Sequence, residues 1–141
     1  MTDRNRQVAL HGADLRVMIV EKHALTGMVL ANMIESLGHE VVGYTARPTK
    51  ALQLASTAWL DVAILALDSP ESIFPVADML AMRNIPFAFS APYDYPVVEN
   101  SIYADRPMLR RPFQEADLAM TLWQLTEPEE AIATGKHQRR A

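Results

Sequence analysis

Two short clusters hold the side chains in this sequence that chemistry most often uses: Glu21-Lys22-His23 and Asp68-Ser69-Pro70. Each follows an apolar run, Leu15 to Val20 before the first and Val62 to Leu67 before the second. Ligand sites of open parallel sheets lie just outside the carboxyl ends of their strands. If both runs are strands, both clusters stand where such a sheet does its work. Glu21 and Asp68 offer carboxylates for cation ligation or as oxygen nucleophiles, whereas Lys22 offers three donors and no lone pair at neutral pH. Asp68 has a competing structural explanation, since aspartate before Ser69-Pro70 also starts turns. His23 reads either as a pH-sensitive contact or as a solvated loop-to-helix histidine.

Several chemistries are excluded early. The chain has 141 residues and no cysteine, which removes disulfides, thiolate catalysis and cysteine-type zinc sites. No Gly-x-Ser-x-Gly elbow occurs, and the loop Glu21-Lys-His-Ala24 carries no glycine to cradle a phosphate. His39 belongs to a turn, His11 and His137 to the tails, and no pair has metal-ligand spacing along the chain. Half the residues are apolar and 21% charged, which suits one globular domain. The net charge of -4 gives no general attraction to nucleic acid or anionic membrane. Lys136, His137, Arg139 and Arg140 form a basic tip of the kind usually found solvated. Neither a signal-peptide core nor an apolar run near the ~20 residues of a membrane span is present, so the expected location is cytoplasmic.

The elements that position the two clusters follow from periodicity. The runs at 15–20, 40–45, 61–67 and 85–90 read as strands, with a very short fifth at Met108-Leu109. The central one, Asp61 to Leu67, lacks polar alternation and has β-branched Val62 and Ile64, as expected of a strand covered on both faces. Apolar residues three and four apart place helices at 24–37, from Pro48 to about Trp59, from about Phe74 to Ala81, and from about Gln114 past Leu118, Leu122 and Leu125. Gly38 and Asn84 stand where helices should stop. Pro92, Pro96 and their neighbours make any helix between strands four and five short or frayed. The expected fold class is α/β, a five-stranded parallel sheet with helices on both faces, doubly wound. The expected organisation is a flexible tail at 1–13, one domain at 14–127 and a charged tail at 128–141.

From about Asp14 to Thr126 the chain resembles the receiver domain of two-component response regulators, the CheY-like (flavodoxin-like) fold. Val17-Met-Ile-Val-Glu21, Leu37-Gly-His-Glu-Val-Val-Gly43 and Arg111-Pro112-Phe113 carry the likeness. Ile85-Pro-Phe-Ala-Phe-Ser-Ala-Pro-Tyr93 is similar to a subgroup with a Phe-Ala-Thr-Gly-Tyr pattern, associated with HWE-type sensor kinases. The resemblance implies a strand-three aspartate as phosphoacceptor, an acidic pair holding Mg²⁺, a Thr or Ser after strand four and a lysine before the last helix. Phosphoryl transfer needs these groups because it is mostly positioning and charge neutralisation. In this sequence the acceptor place is Ala66 and the acidic pair is Glu21 with Lys22. The Thr place is Ala91, with Ser90 one residue early and therefore on the other face. The lysine place is Arg111, and the aromatic that reports phosphorylation falls on Met108. The loop after strand three is one residue shorter than the subgroup's.

These departures imply a degenerate site made of Glu21, Lys22, Ala66, Asp68, Ala91 and Arg111, with no metal, no cofactor and no enzymatic activity. Two carboxylates and two cations sum to about zero, and Lys22 is expected to fill the vacated metal position and pair with Glu21 or Asp68. The expected function is that of a stand-alone pseudo-receiver working by protein–protein interaction. Its partner would be a sensor histidine kinase, a phosphotransfer protein, another response regulator or a second copy. The first surface expected to serve is the aromatic-rich face of Tyr93, Tyr95, Tyr103, Met108 and Trp123, and the second is helix one. The alternative is a genuine phosphorelay receiver phosphorylated at the displaced Asp68.

Overall fold

The computed structural model describes residues 14–68, 70–95 and 102–127. The expected tails at 1–13 and 128–141, together with Ser69 and residues 96–101, lie outside the described residues. In chain order the elements are β1 (Arg16–Val20), α1 (Ala24–Ser36), β2 (Glu40–Thr45), α2 (Pro48–Thr57), β3 (Val62–Ala66), α3 (Pro70–Met82), β4 (Phe87–Pro92), β5 (Met108–Arg111) and α4 (Glu115–Thr126). The strands form one sheet in the order β2-β1-β3-β4-β5, every neighbouring pair parallel. Crossover helices must then cover both faces, and β3 sits in the centre with every residue buried.

Alternation along the strands divides the core into two layers. On one face Met18, Ala63, Leu65, Phe87 and Phe89 pack against Ala51 and Ala55 of α2 and Val76, Ala77 and Leu80 of α3. On the other, Val17, Ile19, Val62, Ile64 and Ala88 meet Leu30 and Ile34 of α1 and Leu118 and Leu122 of α4. Parallel strands carry their apolar residues continuously because both layers need them.

The helices stop where left-handed residues allow. Gly38 has φ 95°, and the amides of Gly38 and His39 return to the carbonyls of Glu35 and Ile34. Asn84, at φ 59°, does the same for α3, with Asn84 N–H bonding Ala81 and Ile85 N–H bonding Leu80. Both are Schellman closures, and glycine and asparagine are the residues that tolerate that conformation. Pro48 occupies the first turn of α2. A capping box starts α4, Gln114 N–H donating to Asp117 Oδ2 at 2.8 Å.

The stretch between β4 and β5 is where the expected frayed helix falls, and its residues 96–101 lie outside the described ones. The described residues 102–106 form turns, and one of them corrects an expectation. Tyr103 is not part of a surface: it is 5% exposed, with its ring edge-on to Phe74, Phe87 and Phe89 at centroid distances of 5.7, 5.3 and 6.3 Å. Its hydroxyl donates to the Asp78 carboxylate. Burial and that neighbouring carboxylate push the phenol up to about 12. Tyrosine went inward because its ring closes the open side of the β4 layer while Asp78 satisfies its polar end.

Candidate functional site

The carboxyl ends of β1, β3 and β5 converge on one cluster of charged side chains. Glu21 follows β1 and is 2% exposed, and its Oε2 accepts the His23 backbone N–H at 3.0 Å. Asp68 follows β3, half-buried. Arg111, the last residue of β5, reaches back between them. Its NH2 donates to Asp68 Oδ1 at 3.3 Å and its NH1 lies 3.5 Å from Glu21 Oε1. The second contact is near enough for ion pairing but does not align as a hydrogen bond. Among the described residues, Glu21 Oε1 and Arg111 Nε are buried without hydrogen-bond partners. The peptide bond that follows, Arg111–Pro112, is cis.

Beside this cluster is a cavity of about 220 Å³ lined by Val20, Glu21, Lys22, Ala46, Pro48, Ala66, Asp68, Ser72 and Ile73. Ala66 closes β3 with a methyl group that is 8% exposed. It pairs in register with Ser90, which is buried, while Ala91 joins the α2–α3 layer on the opposite face. Among the described residues, the side chains that bring oxygen to the cavity are those of Glu21, Asp68 and Ser72, while the last residue of β3 itself contributes only a methyl group. Such a cavity can hold water or a small polar group.

The expected role of Lys22 is corrected by the geometry. Lys22 is exposed and makes no ion pair with Glu21 or Asp68; Arg111 makes both. Lys22 sits in the bend after β1, where the chain turns out to solvent, whereas Arg111 is anchored on a strand and has only to extend inward. Spacing along the chain and proximity in space differ here. No pair of histidines has metal-ligand spacing along the chain, yet folding brings single ligand atoms of Glu21, His23 and Asp68 within 4.8 Å of one another. Asp68 is too distant in sequence for any local pattern to reveal that.

Of the five expected interaction residues, Tyr103 is core. Tyr95 and Met108 are half-buried against the α2–α3 layer. Tyr93 and Trp123 are exposed, at 80% and 49%. A different apolar surface is more continuous. Leu25, Met28 and Val29 of α1 stand 74%, 56% and 46% exposed. Beside them Val29 and Met33 face Pro92, Arg111, Pro112 and Phe113 across a groove of about 490 Å³. The signal was available in sequence: α1 is apolar around most of its circumference, more than one buried stripe needs.

No protein-family model matches the sequence. The phyllosphere-induced regulator PhyR of Methylorubrum extorquens is 28% identical over 116 residues, which are 77% of this chain and 42% of the relative. The receiver domain of the Erythrobacter litoralis PhyR response regulator superposes with a TM-score of 0.68 at 23% identity, over 80% of this chain and 90% of that one. SdrG of Sphingomonas melonis Fr1 superposes with a TM-score of 0.69 at 32% identity, over 79% of this chain and 96% of SdrG. The chain belongs to the receiver-domain family of response regulators. As a receiver it spans less than half the length of its curated relative PhyR. It keeps the family's sheet and crossovers while placing alanine, lysine and arginine at Ala66, Lys22 and Arg111.

Proposed function

We propose that this receiver works in two-component signal transduction without being phosphorylated, as a bacterial, cytoplasmic protein that docks on a partner. The observation that carries the reading is the end of β3. Ala66 offers a methyl group where a phosphoacceptor would need a carboxylate, and the carboxylate two residues further along, Asp68, is already held by Arg111. A nucleophile tied to a guanidinium and lacking a second carboxylate beside Glu21 is poorly placed for in-line attack. The docking surface is the apolar groove beside α1 together with exposed Leu25, Met28 and Val29. The partner class is a sensor histidine kinase, a phosphotransfer protein or another response regulator. Occupying a kinase in this way would not drain its phosphate.

The test is intact-mass measurement after exposure to acetyl phosphate and Mg²⁺, with partner binding measured before and after. The expected result is no phosphoryl adduct and unchanged binding. One phosphoryl group on Asp68, with binding that depends on it, would establish the alternative of a relay through Asp68.

A further inference from the structure

The acidic cluster already contains a cation, and that cation is part of the chain. Arg111 comes from β5 and engages one carboxylate at the end of β1 and another at the end of β3, at 3.5 and 3.3 Å. These carboxylates and His23 are also the described group that could converge on a metal ion. The Mg²⁺ of the family does not fit this donor set. Mg²⁺ demands octahedral oxygen ligation and keeps company with carboxylates and phosphate oxygens. Here the residue after Glu21 is a lysine, the end of β3 is a methyl group, and a guanidinium stands against both remaining carboxylates.

We propose that Arg111 is the permanent cation of this site, holding the carboxyl ends of β1, β3 and β5 together and closing the acidic cluster to divalent ions. The assignment deepens the phosphorylation-independent reading and rests on it. Arg111 also lines the apolar groove beside α1, so the side chain that fixes the three strand ends also forms part of the surface offered to a partner.

The test is Mn²⁺ and Mg²⁺ titration of the full chain, followed by calorimetry and by paramagnetic broadening of amide signals near Glu21. Wild type should take up neither ion at about millimolar concentration, a range in which exposed carboxylate sites begin to fill. Arg111→Met removes a unit charge a few ångströms from both carboxylates and should bind Mn²⁺ at least about tenfold more tightly. Adding Glu21→Gln to that variant should abolish the gain. Arg111→Lys keeps a charge that reaches one carboxylate and should give a smaller gain. Wild-type binding as tight as that of folded Arg111→Met, or no gain in that variant, overturns the assignment. Should Arg111→Met fail to fold, an Arg111→Lys protein indistinguishable from wild type overturns it equally. Cation uptake by wild type with partner binding still indifferent to phosphodonor defeats only the Arg111 assignment, whereas an adduct on Asp68 defeats the functional reading.

Discussion

Ala66 brings a methyl group and Arg111 a guanidinium to the carboxyl edge of this sheet. The first was readable by counting along β3 from Asp61. The second was not, because Glu21, Asp68 and Arg111 are far apart in sequence and only strand packing decides which cation reaches the carboxylates. Proximity in the chain favoured Lys22, and the bend after β1 turned it to solvent. His39 is the other residue whose role depends on burial. It is 7% exposed, and its Nδ1 accepts the Leu15 backbone N–H at 3.0 Å, which requires a neutral ring protonated on Nε2. Burial lowers its pKa from the ordinary 6.5, partly offset by the Asp14 carboxylate. The unfolded chain therefore takes up the proton first as pH falls. The His39 contribution to stability is complete above 6.5 and is lost as pH falls through that value toward the lower folded pKa. Urea midpoints should accordingly drop as pH falls below 6.5. His39→Asn, whose amide oxygen can accept the same N–H, should flatten that part of the curve.

Among the elements, helix ends were the most predictable, because Gly38 and Asn84 are the residue types that left-handed closures accept. Helix α1 was expected as the second interaction surface, after the aromatic-rich face; Leu30 and Ile34 supply its buried stripe, and Leu25, Met28 and Val29 stay exposed. The aromatic-rich stretch before β5 misled. Tyrosine is common both at interfaces and at core edges, and only the free space beside Phe87 and Phe89 placed Tyr103 inside. Two substitutions separate packing from hydrogen bonding there. Tyr103→Phe keeps the ring and removes the bond to Asp78, so it should cost about 1 kcal/mol. Tyr103→Ala empties the aromatic cluster and should cost about 3–5 kcal/mol. Denaturant unfolding of both variants checks the order, and equal losses would mean that the hydroxyl, not the ring, anchors this turn.

At the scale of the whole molecule, two apolar layers close the sheet and leave α1 with apolar side chains to spare. The competing surface, Met120 and Trp123 on α4, is exposed as well, at 59% and 49%. Docking through the groove predicts that Val29→Asp weakens partner binding by at least about tenfold, since a charge would be buried in an apolar contact. Trp123→Ala should leave it within about twofold, as substitutions outside an interface core usually do. Binding by surface plasmon resonance with both variants decides between the faces, and the reverse pattern would move the interface to α4. The sequence by itself determined the architecture and the alanine at position 66. Strand and helix periodicity is a local property, and Ala66 is fixed by its place within one strand. Which cation neutralises the carboxylates, whether Tyr103 faces core or solvent, and that α1 borders a groove were decided only by the tertiary structure. Each depends on side chains from elements distant in sequence meeting at the edge of the sheet.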